Sequence, residues 1–253
     1  MMEIEQHIQV LRAQLLEMLK LSQRAVDYSI KAYELGCPEF CRHVRYTDHE
    51  LRDIHFCLAD RCRKLLMVGL PADSDSRIVW SAFRICSTLQ ATYIAAAEIA
   101  QNTILFLESG QVQESMALKE MGQTVNRLVR LCSVALLKEE VQHAKTVLQN
   151  EGVGRWVELI AYHARSDIGQ GNGAQATFEL AIAKSLGEIA KQAHEMAEAI
   201  TVWLERKVCI DVTRQRVAYV LRESLPMQED EEETKSYFPS PDTSAAQVKA
   251  SDY

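Results

Sequence analysis

Helix-breaking residues are scarce in this chain of 253 residues: it holds ten glycines and five prolines, and most of them fall between long runs of helix formers. A sheet fold needs frequent tight turns, so this scarcity argues for long helices. Aromatics are few, at 7% of the chain, while Ala, Leu, Ile and Val are common, as in helical bundles. The seven cysteines are odd in number and contain no CxxC pair, so they do not read as a disulfide framework or a zinc ribbon. Cys37 and Cys41, one helical turn apart, are the one spacing that could serve a metal or a redox couple. The set as a whole reads as reduced core thiols of a cytoplasmic protein. No run of ~20 apolar residues is present, so no membrane insertion is expected. The opening stretch MMEIEQHIQVLRAQLLEML has early acids and no basic start, which reads as a helix rather than a signal peptide. A net charge of −7 argues against a generally basic surface for nucleic acid.

Catalytic signatures are missing too. There is no GxSxG and no Cys with an identifiable His partner. The loop GQGNG at 169–173 precedes a helical run but lacks the Lys-Ser/Thr of a P-loop and the strand that nucleotide fingerprints need. With no acid–base pair in view, the expectation is that the chain is not an enzyme.

What the chain does have is a rod, twice. Between Pro71 and Glu108, Asp73, Ser74 and Asp75 offer side-chain acceptors for a first helical turn, and Ile78 to Leu107 contains no Pro or Gly. Ser109-Gly110 ends the run. At ~1.5 Å per residue this is a rod of roughly 45 Å, too apolar to stand uncovered. Its body from Arg84 to Glu108 is matched by Ala181 to Glu205 at one constant offset: Ile85 with Ile182, Leu89 with Leu186, Ala96 with Ala193, Glu98 with Glu195, Leu107-Glu108 with Leu204-Glu205. Upstream, at a slightly different offset, Leu15 to Met18 is matched by Leu118 to Met121, Arg24 by Arg127, Ala32 by Ala135 and Val44 by Val147. The chain therefore duplicates one helical unit, with a loop of different length between its parts.

In order, Ile4, Ile8, Leu11, Leu15, Met18, Val26, Ile30 and Tyr33 mark a first amphipathic helix that ends near Gly36 and Pro38. A second helix is expected from about Glu39 to Leu66, with Val44, Leu51, Ile54, Leu58 and Leu65 inward, and the rod is the third. The second copy repeats the plan: Glu114 to Glu140, then Val141 to about Asp167 with a weak point at Gly152 and Gly154, then Ala174 to Arg206. Glycine costs roughly 1 kcal/mol in a helix interior, so two of them predict a break there. The expected architecture is all-α, two tandem three-helix bundles. Residues 1–110 form the first repeat, 111–222 form the second with a short closing segment, and 223–253 form a disordered tail. That tail carries Glu229-Asp230-Glu231-Glu232-Glu233.

Metal-ligand spacings exist but are thin. Glu140-Val141-Gln142-His143 is a single Glu-x-x-His, where di-iron bundles use two. His163 and Asp167, like His49 and Asp53, stand one turn apart, a spacing also common on solvated helix faces. His194-Glu195 occupies the place of Ala97-Glu98 in the first rod, and the repeated Glu is the more notable of the two. Glu98, His163, Asp167 and Glu195 are the candidates if a metal binds; no metal or other cofactor is expected.

Four stretches carry a likeness to a known family. Pro71-Ala72-Asp73-Ser74-Asp75-Ser76-Arg77-Ile78-Val79 resembles an entry motif P-x-x-x-D-L-R-x-V, with Ser76 replacing Leu. Arg84-Ile85-Cys86-Ser87-Thr88-Leu89 resembles K/R-I-A-x-D-L, Ile182 to Ile189 resembles I-A-R-x-L-E-R-I, and Ala193 to Glu198 resembles A-T-N-I-A-E. Asp48-His49-Glu50-Leu51 also fits the acidic step of helix two. Together, over about residues 3 to 210, they resemble the PhoU family, accessory regulators of phosphate-specific transport. Members commonly carry E/D-x-x-x-D metal motifs on both third helices; here the positions read Thr88, Gln90 and Ile94, and Gly187 and Lys191. A lysine there argues against a cation.

The resemblance implies a cytoplasmic adaptor, expected as a homodimer. It would link the ATPase subunit of a phosphate ABC transporter to a sensor histidine kinase and repress the phosphate-starvation response by helix-surface contact. Arg77, Arg84 and Glu98 are the contact candidates. The competing expectations are a metal-binding bundle, either iron-handling or a metal-dependent enzyme, and a plain dimerisation scaffold.

Overall fold

The computed structural model describes residues 2–68, 73–108, 115–150, 152–169 and 173–205. The Pro71 entry, the Gly110 stop, most of the GQGNG loop, Cys209, the closing segment and the acidic tail lie outside the described residues. Within residues Met1–Cys209, a compact unit, the described residues form eight helices in order: α1 (Met2–Leu35), α2 (Pro38–Tyr46), α3 (Asp48–Val68), α4 (Asp73–Glu108), α5 (Met116–Lys138), α6 (Val141–Leu148), α7 (Val153–Gly169) and α8 (Gly173–Glu205). Among the described residues there is no strand. The first bundle is α1, the bent pair α2–α3, and α4; the second is α5, the bent pair α6–α7, and α8.

The run from about Glu39 to Leu66 predicts one second helix in the first bundle, but the structure divides it into α2 and α3. It breaks at Thr47, whose hydroxyl and amide both turn back on the Val44 carbonyl, at 2.8 Å and 3.3 Å. A threonine that bonds its own preceding turn competes with the helix ladder, and no Gly or Pro is needed. The break in the second bundle falls where the glycines predict it, between Leu148 and Val153.

Within each bundle the first and third helices run parallel: Ser22 donates to the Leu89 carbonyl at 3.1 Å and Tyr33 stacks near Phe106, while Cys132 meets the Ala193 carbonyl. Between bundles the partners run antiparallel. Arg84 meets Glu198, Glu98 meets Ser185 and Phe106 meets Phe178 along α4·α8. Gln23 meets Ser133 and Asp27 meets Asn126 along α1·α5. That pattern relates the two copies by a pseudo-twofold axis across the helices. Among the described residues, α1·α5 and α4·α8 are the seams by which the two bundles touch.

The core is aliphatic: Leu11, Leu15, Leu89, Ile99, Leu128 and Ile189 are all buried. Close helix approach explains two interior glycines. A Cβ at Gly122 would stand 3.2 Å from Ile30 on α1, and one at Gly187 would stand 3.0 Å from Val157 on α7. The α1 and α5 ends share a left-handed residue in the same place. Gly36 has φ 58° and its counterpart Glu139 has φ 59°. The Cys thiols described are free, and burial pushes Cys62 and Cys132 each up to about 12.

Candidate functional site

The α4·α8 seam holds two of the residues singled out from the sequence, Glu98 and Arg84. Glu98 accepts a hydrogen bond from the Ser185 hydroxyl at 3.1 Å. Arg84 forms an ion pair with Glu198 at 3.1 Å. Both contacts cross from one bundle to the other, so these two side chains fasten the repeats to each other. Sequence reading could not find this role, because it depends on the antiparallel register of two helices far apart in the chain. Arg77 sits half-buried near the start of α4.

Glu195 is not gathered with Glu98. It lies almost three turns beyond Ser185 on α8, roughly 15 Å away, with Lys191 at 4.0 Å. His163 is exposed on α7, its ring against Tyr162 with centroids 5.7 Å apart. The Asp167 side chain lies outside the described residues. The Glu-x-x-His match closes on itself, His143 Nε2 standing 2.8 Å from Glu140. Among the described residues, no three His, Cys, Asp or Glu side chains come close enough to hold a metal ion.

The positions where a PhoU-like cation site is expected do not fit one. On α4, Thr88 turns its hydroxyl to the Ile85 carbonyl at 2.9 Å, and Ile94 is exposed hydrocarbon. On α8, Gly187 has no ligand atom, and the Lys191 ammonium stands between Glu188 at 3.8 Å and Glu195 at 4.0 Å. An ammonium placed between the nearest carboxylates takes the place a cation would need.

The sequence reading missed a groove between α7 and α8. It has a volume of about 620 Å³, with Val153, Val157 and Ala190 along its floor and Lys184, Glu188 and Glu158 at its mouth. His194 closes one end. Its Nδ1 lies 2.8 Å from the Ala190 carbonyl and its Nε2 lies 2.8 Å from the Asn150 carbonyl, which ties α8 to the α6–α7 elbow. The signal was present as three small residues, Gly154, Gly187 and Ala190, but their meaning needs the helix pairing.

Fold and site together define a duplicated three-helix-bundle protein whose notable features are contact faces and seams. No protein-family model matches the chain. It is 21% identical over 150 residues to the "Phosphate-specific transport system accessory protein PhoU homolog" of Aquifex aeolicus (strain VF5), covering 59% of this chain and 68% of that protein. Its fold matches PhoU from Pseudomonas aeruginosa with a TM-score of 0.75 at 20% identity, over 80% of this chain and 98% of that one. It also matches the phosphate transport system regulatory protein PhoU from Streptococcus pneumoniae with a TM-score of 0.72 at 21% identity, over 83% and 100%. The fold is thus that of the PhoU structures. Among the described residues, no helix is long and apolar enough to cross a membrane.

Proposed function

We propose that the chain is an accessory regulator of phosphate transport that acts by contact and not by catalysis. The observation that carries this reading is the similarity to the Aquifex PhoU homolog, joined to a PhoU fold over most of the chain. The partners on this reading are the ATPase subunit of a phosphate transporter and a sensor histidine kinase. The site of action is the cytoplasm and the working form is a homodimer. Repeat one spans residues 1–110, repeat two spans 111–222, and 223–253 is an acidic appendage. Gln90, Ile94, Gly187 and Lys191 stand where the resemblance would put metal-binding carboxylates, which supports a regulator that works without such clusters. Arg77, Arg84 and Glu98 are contact residues in this proposal. Since Arg84 and Glu98 already bridge the bundles, a partner that engages them would act on the seam itself.

The test is deletion of the gene, with phosphate uptake and starvation-gene output measured in replete and depleted medium. Loss of repression in replete medium is the expected result, restored by the intact gene. Unchanged uptake together with unchanged output overturns the proposal. Affinity capture from the same two cultures checks the partners: the transporter ATPase or the kinase is expected to associate in a phosphate-dependent way.

A further inference from the structure

We infer that His194 is a proton-operated clamp: with both ring nitrogens protonated it ties α8 to the α6–α7 elbow, and loss of one proton lets the elbow go. The ring is held at both ends by acceptors. Nδ1 lies 2.8 Å from the Ala190 carbonyl and Nε2 lies 2.8 Å from the Asn150 carbonyl. A carbonyl oxygen only accepts, and a neutral imidazole carries one N–H. Both contacts are therefore hydrogen bonds only in the imidazolium. Either neutral tautomer turns a nitrogen lone pair on a carbonyl oxygen at bonding distance, which repels. With the proton on Nδ1, the repulsion falls on Asn150 and pushes the elbow away. With the proton on Nε2, it falls on Ala190, which is fixed one turn back in the same helix. The ring must then rotate, and rotation takes Nε2 off Asn150. Each route loses the bond that crosses from α8 to the elbow.

Asn150 directly follows Gln149, the C-cap of α6, so the ring's second proton meets the carbonyl end of that helix. The carboxylates on neighbouring turns of α8 are engaged elsewhere: Lys191 stands between Glu188 and Glu195, and Arg84 pairs with Glu198. From α7, Glu158 lines the same groove as His194, together with Lys184 and Lys191 of α8. From α6, Lys145 pairs with Glu205 and His143 with Glu140. From α5 comes Cys132, whose thiol meets the Ala193 carbonyl and is kept neutral by burial. The elbow itself is built around Gly152 and Gly154, which weaken a helix, so a tie from outside matters more there. The first bundle supplies the contrast. Tyr93 clamps its elbow on the Val44 carbonyl, and burial pushes that phenol up to about 12, so this clamp keeps its proton wherever histidine titrates. One wing is thus held regardless of pH and the other is held by a proton. The inference rests on the geometry of one ring and holds whichever pathway the protein serves.

The test reads two signals on the full chain between about pH 5.5 and about pH 8, the span in which histidine changes charge. One is the ring-nitrogen NMR of isotope-labelled histidine. The other is the hydrogen-exchange protection of the Asn150 and Val153 amides at the elbow, taken as protection factors so that the intrinsic pH dependence of exchange drops out. Elbow protection is expected to fall about tenfold or more as pH rises, the worth of one charged hydrogen bond, in step with the loss of a proton from His194. The Thr47 and Leu51 amides at the first elbow should keep their protection. His55, which burial holds below its ordinary value, would move protection the opposite way, so the sign identifies the ring responsible. In His194→Gln, which has no titrating proton, the step should vanish. The proposal is overturned by an elbow equally protected across the range, by a step that survives in His194→Gln, by an equal step at Thr47, or by a singly protonated His194 with the elbow still closed. The first, third and fourth of these are read on the wild-type chain, so the test stands even where the variant does not fold.

Discussion

The two bundles solve one packing problem in different ways. Each must hold its long third helix against a bent neighbour. The first does so with a ring: Tyr93 fills the elbow and bonds the Val44 carbonyl. The second does so one turn later with His194, which reaches the Asn150 carbonyl beside the α7–α8 groove. Both elbows are therefore fixed by a side chain from the rod on a carbonyl at the bend. The difference teaches that the clamp and the filler are separable. A duplicated unit can keep the first and give up the second.

The sharpest way to break the comparison is to empty the first elbow. Tyr93→Ala removes a buried ring and the bond to Val44, and should lower stability by about 3–5 kcal/mol, read as the shift of the urea midpoint. A loss below about 1 kcal/mol would mean that the ring does not hold the elbow. Next comes the shared left-handed position. Gly36→Ala meets only an ordinary contact with Leu107 at 3.6 Å, so its cost of about 1 kcal/mol is that of the backbone alone. Glu139→Gly should recover up to about 1 kcal/mol in the second bundle, less whatever the Arg12 ion pair contributes.

The interior glycines separate the tight seam from the open groove. Gly122→Ala presses on buried Ile30 and should destabilise by about 1 kcal/mol despite the better helix former. Gly187→Ala presses on Val157, which has the groove to move into, and should fall within about 0.5 kcal/mol of wild type. The smallest effect is one of pH. Burial pushes the His55 imidazole below its ordinary value, so the folded state favours the neutral ring. Below about 6.5 the unfolded chain binds a proton that the folded chain resists, and stability should fall as pH drops from there towards the folded value. His55→Val, which copies Val157 of the second bundle, should flatten that slope in denaturation curves taken at several pH values.

Much of the fold was legible in the sequence because burial imposes period and repetition. Leu89 with Leu186 and Ala96 with Ala193 are core positions, and their matching reported the duplication directly. The break at Thr47 was not legible, since threonine occurs in helices and only its turn back to Val44 shows the choice made here. Glu98 was visible as a repeated acid, but its bond to Ser185 depends on a register set by two seams at once. The groove was least legible. A sequence displays the residues that are present, and this feature consists of atoms that Ala190 and Gly154 do not supply.

The bent pairs α2–α3 and α6–α7 each contact only helices of their own bundle among the described residues, while α1, α4, α5 and α8 form the joint between bundles. Within the unit Met1–Cys209 the four long helices are thus a hub and the two bent pairs are wings on it. Either wing can therefore be resculpted over evolutionary time without loosening the axle that joins the repeats.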